Sequence, residues 1–107
     1  MPKYLCTAGY TAEGLQGVVK DTASGRKAVV QKAVKRLGGK LEAFYFTFGI
    51  RDAIVIADLP DTITAVGMSM AVSASGAVRF RTTPLITADE LDKATKKSVG
   101  YRAPGAK

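Results

Sequence analysis

Hydrophobic and polar residues alternate along several short stretches of the chain, as they do in strands with one buried face. Residues 3–10 alternate in this way, and residues 41–48 do so more strongly, with a phenylalanine at every second position from Phe44. Residues 53–59 are apolar on both faces, which predicts a central strand covered on two sides. Residues 78–86 alternate again. Pro84 cannot donate a ladder hydrogen bond, so this fourth strand is predicted at a sheet edge.

A helical period of apolar residues separates the first two strands. Within residues 26–37 one side of the predicted helix is apolar and the other is basic, and Gly38 and Gly39 follow as a C-terminal cap. An earlier helical turn has Thr11 as its N-cap. Residues 22–25 predict a break or kink between the two helical pieces.

Two further helices are predicted after the third and fourth strands. Residues 62–73 follow Pro60 and Asp61, which favour a first helical turn, and they carry one apolar stripe: Ile63, Val66 and Met70. We expect Met68 and Met70 to fill gaps where this helix meets the sheet. The run of residues 87–90 is a capping box and predicts a short helix ending near Lys97. Residues 98–107 read as an irregular tail.

This order of elements is the split β-α-β arrangement of ferredoxin-like domains, an α+β fold. It predicts one domain over residues 1–97, with a four-stranded antiparallel sheet and two main helices on one of its faces. The other face is apolar and needs a cover. A second subunit is the natural cover, so we expect a homodimer or a larger homo-oligomer.

Composition narrows the possible functions. Lys and Arg number 16 against 9 acidic residues, a formal charge of +7, but the basic residues are spread over several segments. This favours a solvated surface over nucleic-acid binding, which stays the weaker alternative. The chain has no histidine and one cysteine, Cys6, which we expect to be buried and inert in a reducing cytoplasm. Neither a membrane span nor a motif for a metal or another cofactor is recognisable, so we expect none.

Five residues are candidates for a ligand site: Tyr10, Tyr45, Thr47, Arg79 and Arg81. The two arginines share one face of a strand, and a guanidinium group binds carboxylate or phosphate through paired hydrogen bonds. The alternative for the arginines is an exposed strand face or an ion pair with Asp58 or Glu42. The alternative for the tyrosines is a half-buried ring with a hydrated hydroxyl.

The turn between the second and third strands carries a family signature. The chain resembles the GYD domain family of small bacterial proteins, within the dimeric α+β barrel superfamily, at residues 10–11, 37–40, 43–45 and 56–61 and at the turn itself. The Gly-x-Tyr-Asp turn of the family here reads Gly49-Ile50-Arg51-Asp52, with Arg51 in place of the tyrosine. We expect Gly49 and Asp52 to shape this turn; the alternative is an acid at the mouth of a pocket.

What the resemblance implies is a ferredoxin-like fold, a homo-oligomer and no assigned activity. Our first hypothesis is an oligomeric protein that binds a small anionic or partly apolar ligand between the sheet and a partner subunit. The second is a small cofactor-free enzyme, an oxygenase or isomerase, that would act through Tyr10, Tyr45 and Arg79 or Arg81. The fold alone does not choose between these hypotheses.

Overall fold

A computed structural model describes residues 1–106 of the chain. In chain order the elements are β1 Lys3–Tyr10, α1 Ala12–Asp21, α2 Ala23–Arg36, β2 Lys40–Phe46, β3 Ala53–Asp58, α3 Thr62–Ala74, β4 Val78–Leu85 and α4 Ala88–Thr95. The predicted order is confirmed, including the break in the first helical region. That break is a single residue, Thr22, whose φ of 70° turns the chain between α1 and α2 while its side chain accepts a hydrogen bond from Gly25 N–H.

The four strands form one antiparallel sheet in the order β2-β3-β1-β4, consistent with a ferredoxin-like fold. The two central strands are β3 and β1, and β4 lies at an edge, as Pro84 predicted. A β-bulge between Leu41 and Ala43 shifts the register of β2 against β3. The register fixes which side chains share each face, because successive residues of a strand point to opposite sides.

The hydrophobic core lies between the sheet and helices α2 and α3. In β1, Tyr4 and Cys6 alternate with Leu5 and Thr7. Tyr4 is 2% exposed and Cys6 is 0% exposed, so this pair faces the core. The same buried cluster contains Val34 of α2, Leu59 after β3 and Met68 of α3. The predicted burial of Cys6 is therefore confirmed. Burial also raises the pKa of its thiol, because a thiolate loses solvation there.

Of the two methionines expected where α3 meets the sheet, Met68 is buried there, but the prediction for Met70 is wrong. Ile63 is 84% exposed and Met70 is 67% exposed, while Ala65 and Met68 face the sheet. The reason is that α3 is apolar on every side, so its sequence period does not distinguish the inner face from the outer one. The strand that α3 contacts is β4.

Two glycines permit the helices to approach the strands closely. A Cβ added at Gly14 of α1 would lie 1.9 Å from the carbonyl oxygen of Ala77, just before β4. A Cβ added at Gly39 would lie 2.3 Å from the carbonyl oxygen of Asp58. Both sites therefore need glycine because of close backbone packing.

The C-terminal part of the chain extends away from this body. The radius of gyration is 17.2 Å, against about 13 Å for a compact chain of this length, and the longest dimension is 60 Å. Every residue from Thr83 to Ala106 is exposed, although α4 is well formed and its predicted capping box between Thr87 and Glu90 is present. We call residues 86–106 the C-terminal arm.

Candidate functional site

Three of the five predicted site residues lie on the sheet face that points away from α2 and α3. We call this surface the open face; its centre is formed by the partly exposed Leu5, Ile54 and Ile56. Tyr45 lies on β2 at one edge of the open face, and Arg79 and Arg81 lie on β4 at the other. All three side chains are exposed.

The strand register gives the separation of these groups. Tyr45 pairs with Ile54, Ile54 with Thr7, and Thr7 with Arg81, so these residues form one row across the sheet. Neighbouring strands lie about 4.8 Å apart, which puts the ends of the row about 14 Å apart. The row therefore does not bring Tyr45 and Arg81 together around one small group.

Thr47 belongs to the hairpin between β2 and β3 rather than to a pocket wall. Its hydroxyl donates to the carbonyl oxygen of Arg51, and its N–H donates to the carbonyl oxygen of Asp52. The Asp52 carboxylate accepts a hydrogen bond of 2.8 Å from the backbone N–H of Tyr10. The signature turn thus attaches the hairpin to the end of β1, which supports the architectural interpretation of Asp52. The expected unusual dihedral is not at Gly49: the residue of this turn with a positive φ, of 50°, is Phe48.

Tyr10 lies on the opposite face of the sheet, the face that it shares with Tyr4, Cys6 and Ala8 of β1. There it borders a cavity of about 120 Å³ between the sheet and helices α2 and α3. We call this space the inner cavity; most of its lining is apolar, with Val29 and Val30 from α2, Met68 and Val72 from α3, and Phe44 and Phe80 from the sheet. One buried water molecule needs only about 10–15 Å³ of such space, so the inner cavity is large enough for a small organic fragment.

The inner cavity has two polar residues, Tyr10 and Arg26. Both also line a wider groove of about 400 Å³ beneath α1, together with Glu13 and Asp21. The Arg26 guanidinium lies 3.6 Å from the Asp21 carboxylate. Loss of solvation raises the pKa of the Tyr10 hydroxyl; nearby Arg26 lowers it and Asp52 raises it further. Tyr10 therefore holds its proton at the junction of cavity and groove, and can donate a hydrogen bond there.

Arg26 was not among the predicted site residues. In the sequence it opens the amphipathic stretch of α2 and reads as one more basic residue on a solvated surface. The signal that would have found it is its position just after the helix break at Thr22. The break turns the first residues of α2 toward the end of β1, where Tyr10 lies.

The charges of the open face are divided between its two ends. At one end Lys3 bonds to Asp58 at 2.9 Å and to Glu42 at 3.2 Å, and these acids raise the pKa of the Lys3 ammonium. At the other end Arg79 and Arg81 have no ion pair within residues 1–106. The predicted alternative of an ion pair between these arginines and Asp58 or Glu42 is thus not found, because both acids pair with Lys3.

No helix among the described residues has the length and apolar character needed to cross a bilayer. Within the same 106 residues, no group of three Cys, Asp or Glu side chains is arranged to hold a metal ion.

Comparisons with curated proteins and with solved structures gave no match. The family model for the GYD domain matches residues 4–95, which cover helices α1 to α4 and all of the sheet except Lys3. The chain therefore belongs to the GYD domain family.

Proposed function

We propose that this GYD protein binds a small, partly apolar molecule in the inner cavity and acts as a homo-oligomer. One observation carries the ligand proposal. An apolar cavity between helices and sheet shares two polar lining residues, Tyr10 and Arg26, with a neighbouring groove. Apolar walls with a few well-placed polar groups are typical of small-molecule sites. A reducing cytoplasm suits the buried, free thiol of Cys6.

The charges near the cavity favour a neutral polar end on the ligand. Arg26 is already paired with Asp21, and Glu13 lines the same groove. An added carboxylate would meet these two acids as well as the guanidinium. A hydroxyl or carbonyl group avoids that repulsion and still accepts a hydrogen bond from the Tyr10 hydroxyl. The partly apolar ligand of our first hypothesis is thus preferred to the anionic one, and its site moves from the open face to the inner cavity.

The test is titration of the ¹⁵N-labelled protein with benzyl alcohol, with toluene as the analogue that lacks the hydroxyl and benzoate as the anion. We expect saturable binding of benzyl alcohol in the millimolar range, about −4 kcal/mol, with shifts at residues around the cavity. Val30→Phe places extra volume in the cavity and should weaken binding at least tenfold. Val19→Phe is the matched control, because Val19 is 78% exposed on α1 and does not line the cavity.

Removal of the Tyr10 hydroxyl separates the polar contact from the apolar one. Tyr10→Phe should weaken benzyl alcohol about threefold to tenfold and leave toluene unchanged, since toluene makes no hydrogen bond. Tighter binding of benzoate than of benzyl alcohol would overturn the neutral-ligand argument. Shifts confined to the open face, or equal affinities of the Val30→Phe and Val19→Phe variants, would reject the cavity as the site.

The enzymatic alternative rests on Tyr10 alone. Its hydroxyl places a proton next to a cavity, but loss of solvation raises its pKa further above neutrality, which weakens it as a general acid. Tyr45, Arg79 and Arg81 lie on the other face, so they do not share that cavity. Turnover of a bound substrate that is lost in Tyr10→Phe while binding persists would favour the enzyme over the binding protein.

Nucleic-acid binding stays the weaker proposal. It has support only from the net charge of +7 and from exposed basic residues on α2, such as Lys32 and Lys35. Retention on single-stranded DNA that falls steeply with added salt would support it.

A further inference from the structure

Helix α3 is apolar on the side that faces away from the sheet as well as on the side that packs against it. Its 13 residues include no charged side chain. On the outer side, Ile63 is 84% exposed, Val66 is 49% exposed and Met70 is 67% exposed, and their spacing of three and four residues makes them neighbours. We call these three residues the apolar ridge. An exposed apolar patch bordered by polar residues marks a surface that contacts another structure.

A row of cations lies on the outer side of helix α2. Lys32, Lys35 and Arg36 are exposed and lie within one turn of each other, while Val34 of the same helix is buried. We call these three cations the basic row. The 14 residues of α2 include no Asp or Glu, and the basic row has no ion pair within residues 1–106. Since the inner sides of α2 and α3 line the same cavity, the basic row and the apolar ridge lie on one side of the molecule.

We propose that this side of the molecule docks on a bilayer surface that contains anionic phospholipid. The apolar ridge enters the headgroup region, and the basic row contacts the lipid phosphates. A helix that lies in a bilayer interface combines an apolar side with Lys and Arg, and the apolar side enters the headgroup boundary by about 5–10 Å. Here α3 supplies the apolar part and α2 supplies the charge.

The dimensions fit a flat partner. Helix α2 packs on β2 and α3 packs on β4, and these edge strands lie about 14 Å apart. Both helices are about 20 Å long, so together they present a surface that a bilayer contacts at once. The acid at the start of α3, Asp61, serves as a helix cap: its carboxylate accepts a hydrogen bond of 2.7 Å from the N–H of Thr64.

Charge complementarity favours a bilayer over two other partners. Nucleic acid would contact the basic row but leave the apolar ridge in water, and neither α2 nor α3 has an aromatic residue to stack against a base. A second copy would pair the ridges but leave the basic rows without counter-charges. An anionic bilayer meets both surfaces. They lie opposite the open face, so a subunit that covers the open face leaves them free.

The first test is co-sedimentation of the full chain with vesicles of phosphatidylcholine, either pure or with about 30% phosphatidylglycerol. We expect binding at least tenfold tighter to the anionic vesicles at low salt. At about 1 M salt this preference should disappear, because the screening length falls to about 3 Å. Absence of binding to anionic vesicles at low salt, or equal binding to both kinds of vesicle, would overturn the proposal.

Charge reversal tests whether the basic row makes the contact. Lys32→Glu with Lys35→Glu should weaken binding to anionic vesicles at least tenfold, since each cation near such a surface contributes roughly fivefold. Arg79→Glu with Arg81→Glu is the matched control, because it changes the net charge equally but on the open face. We expect the control to weaken binding less than about threefold. Equal losses in the two variants would overturn docking through α2.

A single tryptophan tests whether the apolar ridge enters the bilayer, because the chain has none of its own. Met70→Trp should show blue-shifted emission with anionic vesicles and quenching by brominated lipid. Val99→Trp is the control, at a site that is 78% exposed in the C-terminal arm, and should show neither change. An unchanged spectrum of Met70→Trp, or equal shifts at both sites, would overturn insertion of the ridge.

Two other outcomes would assign this side of the molecule to a different partner. Retention on single-stranded DNA that requires Lys32 and Lys35, without vesicle binding, would assign the basic row to nucleic acid. Self-association that is lost in Ile63→Asn with Met70→Asn, without vesicle binding, would assign the ridge to a second copy. No member of the ridge or the row lines the inner cavity, so Val30→Phe should leave vesicle binding unchanged.

Discussion

Gly14 offers the sharpest test of how α1 is held against the sheet. The first turn of α1 approaches the start of β4 so closely that an added Cβ would lie 1.9 Å from the carbonyl oxygen of Ala77. Contacts under 3.0 Å essentially never occur at real Cβ atoms, so α1 must move by about 1 Å in Gly14→Ala. Gly17, one turn further along the same helix, has nothing within 4 Å of its added Cβ.

We therefore expect Gly14→Ala to lower the free energy of unfolding and Gly17→Ala to raise it. Overpacking at Gly14 costs about 1–3 kcal/mol, and movement of α1 also weakens the 3.1 Å hydrogen bond from Thr11 N–H to Ala77, worth about 0.5–1.5 kcal/mol. The higher helix propensity of alanine stabilises α1 by up to about 1 kcal/mol in either variant. We expect a net loss of about 0.5–4.5 kcal/mol for Gly14→Ala and a gain of up to about 1 kcal/mol for Gly17→Ala.

Urea denaturation followed by circular dichroism measures both changes, at one fixed protein concentration because association would shift the midpoint. In a thermal scan followed by the same signal, the midpoint of Gly14→Ala should fall by about 2–18 °C. The Gly17→Ala midpoint should rise by a few degrees. If the two variants are equally stable, the close approach of α1 to Ala77 is not a feature of the folded protein.

Three further predictions address the core, the helix break and the thiol. Leu59→Ala should lose about 2–5 kcal/mol in urea denaturation, because Leu59 is 0% exposed, while Ile63→Ala at an 84% exposed site should stay within about 0.5 kcal/mol; equal losses would contradict the core assignment. Thr22→Gly should stabilise the protein by up to about 1 kcal/mol, because relief of the positive φ outweighs the lost cap hydrogen bond; a loss of stability in the same assay would show that the cap dominates. The pKa of Cys6 is raised above its ordinary 9.0 by burial, so the unfolded chain ionises first and stability should fall as the pH rises above about 9. Urea midpoints at pH 8 to 10.5 should show this fall and show a smaller one in Cys6→Ala.

Alternation predicted the strands well because their two faces differ in polarity. In β1, Tyr4 and Cys6 alternate with Leu5 and Thr7, and the structure places the first pair in the core. The same reasoning failed for α3, where every side is apolar and the stripe through Ile63 faces outward. A period locates the buried face only when the opposite face is polar.

The candidate site was harder to predict, because its members come from distant parts of the chain. Tyr10 was named from the sequence, but its neighbour Arg26 was not. Tyr45 and Arg81 share a face, yet the strand order places two strands between them. Residue type suggested which side chains can bind a ligand, and the topology decided which of them meet.

Local interactions in the sequence were enough to define the element order, the break at Thr22, the capping box at Thr87 and the edge position of Pro84. Each of these depends on residues close in the chain, through caps, dihedral preferences and periodicity. The inner cavity, the presence of both Tyr10 and Arg26 in its lining and the projection of the C-terminal arm depend on packing between distant segments. Such packing is set by the volume and shape of whole elements in contact, which no local pattern encodes.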